Sequence, residues 1–246
     1  MRLERLLSEK GIGGPLAELL SSATPENIVR NISLVKPGLP LLNAGIVSGL
    51  ERLSDAELQS YGLFWKRSGE SGNILSGHLE REAIRAYDVN QLIPEASPKV
   101  YALTKTAQGL YGYIMEFIDG YRLCDILRGK ISSDGTVYFE YYDAKSGENK
   151  KNKINVDGLL KIRQELNCAV YALKSARVYH GDLWPPNVMI ASVDLQVKLI
   201  DPWFEAMYYE IHKCVRNDYS SLELMNEELD AIINGDEKGA KKAVWA

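Results

Sequence analysis

The segment His180-Gly181-Asp182-Leu183-Trp184-Pro185-Pro186-Asn187, followed by Leu199-Ile200-Asp201, gathers residue types with the greatest chemical capacity in this chain. A carboxylate five residues ahead of a carboxamide on one loop sets a general base beside an amide able to ligate a metal. A second carboxylate, at the end of the next hairpin, can chelate the same ion from the opposite side. Hard oxygen ligands of this kind suit Mg²⁺. Transfer of a phosphoryl group from ATP asks for little more: a carboxylate that orients the acceptor hydroxyl and takes its proton, and Mg²⁺ bridging the phosphates. The competing reading is an ordinary turn, with Asp182 and Asp201 capping helices and His180 a core histidine. The order of these groups, after a long helix and around a two-strand hairpin, favours the chemical reading.

The rest of the chain must position that segment. Its 246 residues, 46% hydrophobic and 25% charged, are those of a globular protein with ample core material, as one large domain or two lobes sharing a cleft. A net charge of −4 excludes the basic excess that nucleic-acid binding requires. No apolar run is long enough to span a membrane, and the charged, interrupted start Met1-Arg-Leu-Glu-Arg-Leu-Leu7 is no secretory signal. The three cysteines, Cys124, Cys168 and Cys214, lack metal-ligand spacing. Cys124 and Cys168 fall in apolar helical patterns and are expected to be buried thiols in a reducing compartment.

Along the chain, 3–22 reads as a helical preamble broken at Gly11-Ile-Gly13-Gly14-Pro15. Strands are predicted at Leu39–Leu42, Ile46–Leu53, Tyr61–Arg67, Lys99–Leu103 and Tyr111–Phe117, with a helix over Ser76–Tyr87. After Ile118-Asp119-Gly120 helices dominate. A short one covers Leu123–Arg128, and a long one runs from a cap at Asp157 to about Arg177, with Leu159, Leu160, Leu166, Val170 and Leu173 apolar. Short strands follow at Val188–Ala191 and Val197–Ile200. Between the two helices, Ser132–Val156 reads as a projecting hairpin, rich in aromatics near Tyr138–Tyr142 and carrying Lys150, Lys151 and Lys153. Its aromatic face either packs on the helices or docks a protein substrate.

The H-x-D-x-x-x-x-N loop with a following hydrophobic-hydrophobic-Asp resembles the catalytic and metal loops of the protein-kinase-like superfamily. The resemblance implies an α+β, bilobal fold. Residues 1–30 would be the preamble, 31–117 a β-rich N-lobe, and 118–246 a short, mainly helical C-lobe with the hairpin inserted at 132–156. It assigns Asp182 as catalytic base with His180 in the same loop, and Asn187 and Asp201 as ligands of Mg²⁺. Lys66, alternating out of a strand in Leu63-Phe-Trp-Lys-Arg67, would hold the ATP phosphates and pair with Glu82 on the next helix, Glu80 being the competitor. Tyr113-Ile-Met-Glu-Phe-Ile-Asp-Gly120 resembles an interlobe hinge. There Met115 would back the adenine, and the Glu116 carbonyl and Ile118 amide would face the purine edge. The phosphate loop matches least well, and its equivalent is Asn43-Ala-Gly45-Ile-Val-Ser-Gly49, with Gly45 and Gly49 approaching the phosphates.

His-Gly-Asp in place of His-Arg-Asp is similar to aminoglycoside and fructosamine kinases and to Bud-type atypical protein kinases. Trp184 stands where protein kinases usually keep a lysine, and Asp201-Pro202-Trp203 replaces Asp-Phe-Gly. The stretch from Asp201 to Ala246 holds no Ala-Pro-Glu and is short for either class. This brevity, with the Phe204-Glu-Ala-Met-Tyr-Tyr209 stretch and an Asn217-Asp-Tyr-Ser-Ser-Leu222 helix start, resembles the minimal kinases that pathogenic bacteria deliver into host cells. That resemblance implies a monomeric Ser/Thr kinase acting on a host protein, delivered through a type III system into the host cytosol. A small-molecule kinase and a pseudokinase binding module remain as alternatives.

Overall fold

Short alternating runs punctuated by Pro and Gly draw the first part of the chain into an antiparallel-rich sheet, and long 3.6-periodic runs draw the later part into helices. The computed structural model describes residues 2–23, 31–67, 76–202 and 211–236. The protein is α+β and divides into two compact units, Met1–Asp88 with Lys99–Phe117 and Val89–Pro98 with Ile118–Ala246.

In the first unit, α1 (Arg2–Glu9) and α2 (Gly14–Ala23) precede β1 (Ile32–Lys36) and β2 (Leu39–Leu42). Next come α3 (Ala44–Leu50), α4 (Asp55–Ser60), β3 (Leu63–Arg67), α5 (Ser76–Leu92), β4 (Val100–Lys105) and β5 (Tyr111–Glu116). The sheet order is β1-β2-β4-β5-β3, parallel only between β2 and β4. The core joins Leu7, Leu16, Leu19 and Leu20 of the two N-terminal helices to Ile46, Val47 and Leu50 of α3 and to Leu63, Trp65 and Ile114 of the sheet. Thus alternate residues of β3 face this core, and Lys66 projects to the other side.

The strand expected at Ile46–Leu53 is helical instead. Its β-branched pair suggested a strand, but Ile46, Val47 and Leu50 lie one turn apart on a single buried helix face. Ser54 and Glu57 then form a reciprocal capping box that starts α4 in the segment between the strands expected at Ile46–Leu53 and Tyr61–Arg67.

The second unit contains β6 (Gly120–Arg122), α6 (Leu123–Leu127), β7 (Lys130–Ile131), β8 (Val137–Asp143), β9 (Glu148–Ile154) and α7 (Val156–Ser175). A 3₁₀ turn (Pro185–Asn187), β10 (Val188–Ala191), β11 (Val197–Leu199) and α8 (Ile211–Ile233) complete it. Its strands form two small sheets, β11-β10-β6 and β7-β8-β9. Leu159, Ile162, Leu166, Val170 and Leu173 of α7 pack with Leu222, Met225, Leu229 and Ile232 of α8.

Four details differ from expectation. Asn155, not Asp157, caps α7, its side chain accepting from the Gly158 amide. Leu160 lies on the exposed face of α7, and Ile162 and Ala169 complete the buried stripe. Cys168 is exposed, whereas Cys124 is buried. Asn217 does not start a helix, because α8 begins six residues earlier at Ile211. Trp203 and the Phe204–Tyr209 stretch lie outside the described residues. Among the described residues no helix is long and apolar enough to cross a membrane.

The predicted hairpin is β8 and β9, joined through 144–147 and flanked by β7. Val137, Phe139 and Ile154 of its inner face belong to the core of the second unit, and Tyr121 meets Phe139 edge-on at 4.9 Å. The packing role is therefore observed. The outer face leaves Tyr138 and Tyr142 exposed. At the turn, the Asp143 carboxylate accepts from Lys150 Nζ, from Ser146 Oγ at 2.8 Å and from the Lys145 amide at 3.1 Å. These bonds, Lys150 foremost, hold its pKa near 2 against an ordinary 3.8. The depressed folded value means the turn's pinning is complete above pH 3.8 and fades as pH falls towards 2. Exchange of the Lys145 and Gly147 amides, followed by NMR, is expected to accelerate only in that acid window. Acceleration already at pH 5 to 6, roughly two units too high, counts against the pinning.

Candidate active site

Beyond the end of α7 the chain turns at Arg177, with φ +56°, and enters the loop that carries His180. His180 is fully buried, and its backbone N–H donates to Asp218 Oδ2 at 2.7 Å. The next N–H, of Gly181, donates to Asp218 Oδ1 at 3.0 Å. Gly181 sits at φ +84°, a conformation that a side chain would strain, so glycine here suits the loop's path. Asp218, on the inward face of α8 and itself buried, thus clamps two successive amides of the loop. A carboxylate accepting charge-assisted bonds from backbone N–H groups is among the stronger buried contacts.

The same loop is tied to the β10–β11 hairpin. His180 Nε2 donates to the Ile200 carbonyl at 2.8 Å, and the Ile200 N–H donates to the Asn187 carbonyl at 2.9 Å. Asn187, placed by the 3₁₀ turn that Pro185 and Pro186 initiate, donates Nδ2 to both the carbonyl and Oδ2 of Asp182, each at 2.9 Å. Asp201 follows Ile200 at φ +55°, a left-handed conformation that Asp tolerates better than most residues. His180, Asp182, Asn187 and Ile200 therefore share one hydrogen-bonded framework, and Asp201 follows directly on Ile200. Asn187 bonds to Asp182 Oδ2, and Oδ1 accepts no hydrogen bond from the described residues.

In the first unit the arrangement is an ion pair on the sheet face opposite the core. Lys66 Nζ lies 2.6 Å from Glu82 Oε1, both side chains largely buried. The Tyr113 hydroxyl, cross-strand from Lys66, donates to the same carboxylate oxygen. Glu82, not Glu80, is the partner of Lys66. Arg67 points the other way, where it pairs with Asp55 and stacks on Trp65 at 4.8 Å. Met115 is buried in β5 between Phe64 and Val100, and the Glu116 side chain accepts from the Lys99 amide at 3.1 Å. Ile118 begins the longer of the two stretches that make up the second unit.

Gly45 and Gly49 require a correction. The expected glycine turn is helix α3, whose amides begin bonding internally at Ile46 and Val47, both to the Asn43 carbonyl. A Cβ at Gly45 would stand 2.7 Å from the Asn31 side chain, so this glycine serves close packing. The strand–turn–strand geometry anticipated for a phosphate loop is absent at 43–49.

Two contributors escaped the sequence reading of the site. Asp218 appeared only as part of a helix start, and Tyr113 only as the first residue of the hinge-like segment. The hydrogen bonds that give them importance span 38 and 31 residues.

Beside Asp182 the second unit holds a pocket of about 360 Å³ lined by Gly181, Asp182, Leu183, Trp184, Ser220, Ser221 and Leu224. The Trp184 indole N–H is buried without a hydrogen-bond partner among the described residues.

Asn187 and Asp201 fit a Mg²⁺ ion by their donor chemistry. Both Asn187 amide hydrogens are directed at Asp182, which leaves Oδ1 of Asn187 as a neutral hard ligand, and Asp201 adds a carboxylate. No group of three or more His, Cys, Asp and Glu side chains gathers among the described residues. Mg²⁺ bound with substrate phosphates commonly takes only one or two protein carboxylates, so the donor chemistry of the pair is compatible with that ion. No family model matches the chain, and no curated protein matches its sequence.

Proposed function

We propose that this protein is an ATP- and Mg²⁺-dependent phosphotransferase with a bilobal, protein-kinase-like arrangement. Within that class, the reading we favour is a minimal Ser/Thr protein kinase of the bacterial effector type, acting as a monomer on a host protein in the host cytosol. The observation that carries the first statement is the bonding of Asp182 to Asn187, and of Asn187 and His180 to Ile200, immediately before Asp201. The second statement rests on the resemblance in the residues following Asp201.

In this reading Asp182 Oδ1 orients the acceptor hydroxyl and takes its proton as the oxygen attacks. Asn187 keeps the other carboxylate oxygen occupied, so the basic oxygen faces the acceptor. Asn187 Oδ1 and the Asp201 carboxylate hold Mg²⁺, which when bound neutralises charge on the phosphates. Lys66 holds the ATP phosphates, and Glu82 with Tyr113 keeps its ammonium from wandering. Most of the rate then comes from positioning and fixed charge, since phosphoryl transfer needs little covalent help from a protein.

The test is incubation of the purified protein with labelled ATP and Mg²⁺ in a eukaryotic lysate. Label on serine or threonine of discrete proteins is the expected outcome. Asp182→Asn should lower transfer by about 10² to 10⁴-fold, the range for a general base. Lys66→Ala should lower it more than it lowers the melting temperature. Absence of label with the wild-type protein, or undiminished label with Asp182→Asn, overturns the proposal. Normal ATP use by Lys66→Ala would remove that lysine from the nucleotide site.

A further inference from the structure

We propose that the open edge of β9 is a docking strand, and that it takes an extended, acidic segment of a partner protein. This strand lies outside the machinery proposed for phosphoryl transfer.

β9 is an outer strand of the sheet β7-β8-β9, paired with β8 from Glu148 to Ile154. Among the described residues no strand pairs with its other side. Alternate residues of an outer antiparallel strand turn their N–H and C=O groups away from the sheet, a row that a further strand can join. Glu148, Asn149, Lys150, Lys151 and Lys153 are exposed. The Lys153 N–H donates to the Asn152 side chain at 2.8 Å, a local bond that an incoming carbonyl can replace.

The charges beside this edge choose the occupant. The register puts Asn149, Lys151 and Lys153 on the face that also carries Tyr138, Glu140 and Tyr142. Lys130 is in register on the far side of Tyr138, so that tyrosine stands between two lysines. Lys151 meets Glu140 at 3.4 Å, but the two side chains are 84% and 67% exposed, and water screens such a pair heavily. The face therefore sets three lysines against one carboxylate, in a chain whose net charge is −4.

A second copy of this chain is a poor occupant. β9 against β9 would oppose lysines to lysines, and like charges directly across a ladder are unfavourable. Lysines on an open edge guard against that self-pairing. An acidic strand turns the same lysines into attractive cross-strand partners. Carboxylates at i and i+2 of an extended segment share one face, as Lys151 and Lys153 do, so the two spacings match. The exposed rings of Tyr138 and Tyr142 add contact surface beside them. A nucleic acid would satisfy the charge but has no peptide backbone to pair with the edge. Main-chain bonds supply affinity in this mode of binding, and side-chain alternation supplies selection.

The experiment is fluorescence anisotropy on the full chain with a short labelled peptide that alternates Glu and Thr. Its comparisons are a peptide of equal composition with the Glu residues in one block, an alternating Lys/Thr peptide and a short single-stranded RNA. Two further Glu/Thr peptides carry N-methyl groups on one or the other set of alternate amides. The Glu/Thr peptide is expected to bind more tightly than the block peptide and the RNA. One methylated register should abolish binding and the other should preserve it, because only one set of amides faces β9. Lys151→Glu combined with Lys153→Glu should weaken the Glu/Thr peptide on the order of tenfold and favour the Lys/Thr peptide, as two opposite-charge pairs become like-charge pairs. No binding of the Glu/Thr peptide by the wild-type protein overturns the proposal. So does equal binding of the block peptide, tolerance of both methylated registers, or tighter binding of the RNA. The methylated peptides need no protein variant, so a misfolded double variant leaves the proposal open to refutation. ATP use by the wild-type protein is independent of all these outcomes.

Discussion

Asp201→Ala is expected to abolish phosphoryl transfer, by more than about two orders of magnitude, while the second unit stays folded. Asp201 is only partly buried and lies at the end of β11 and Ile200, so truncating it opens no core cavity. What it costs is local. At φ +55° an alanine lacks the tolerance of Asp for left-handed backbone, a penalty of about 1 kcal/mol. For a chain of this size that shifts the melting temperature by roughly 2–4 °C. Asp201→Asn separates the two effects, since Asn accepts the left-handed conformation but carries no charge. Its melting temperature should fall less than that of Asp201→Ala, and its transfer should still fall steeply. Turnover that survives either substitution at saturating Mg²⁺ would take Asp201 out of the site.

Asp218→Ala is expected to damage both stability and turnover, and the second more than the first. The substitution leaves the His180 and Gly181 amides without their acceptor in a buried loop. An orphaned buried donor costs about 1–3 kcal/mol, so the two together should cost several, a drop of roughly 5–15 °C in melting temperature. The loop they anchor carries Asp182, and loss of its register should reduce kcat by about 10²-fold even at temperatures where the variant is folded. Asp218 is a positioning residue, and the split between parameters reveals it. The KM for ATP should move little, because the phosphate contacts proposed for Lys66 are unaltered, whereas kcat collapses. Asp218→Asn retains one acceptor oxygen and should recover part of the stability and part of kcat. Equal losses in KM and kcat, or normal kcat in a folded Asp218→Ala protein, would contradict the positioning role.

The hairpin shows how far patterning alone reached. Aromatic and β-branched residues over Val137–Asp143, then a polar turn, specified β8 and β9 without reference to anything distant. Which aromatics were buried was less legible. Phe139 faces the core, and Tyr138 and Tyr142 do not, as period-2 alternation requires once the register is known. The register came from pairing Val137 with Ile154, a choice that rests on where the core lies.

The chain's own local order determined the loop–hairpin spacing that brings Asp182, Asn187 and Ile200-Asp201 together, because those contacts close over a few residues and two short strands. It likewise determined the placement of Lys66 on a strand, from the alternation of Leu63, Trp65 and their neighbours. Tertiary structure decided the rest. Ile46 and Val47 have strand propensity, yet burial against the sheet core makes α3 a helix and removes the expected glycine turn. Glu80 and Glu82 are both available in sequence, and only the rotation of α5 against β3 and β5 selects Glu82. Asp218 reaches His180 across 38 residues because α8 packs along α7, a juxtaposition that apolar stripes on both helices create and that no spacing rule encodes. Hydrophobic burial is non-directional and acts between distant segments, so it fixes partners that local periodicity leaves undetermined.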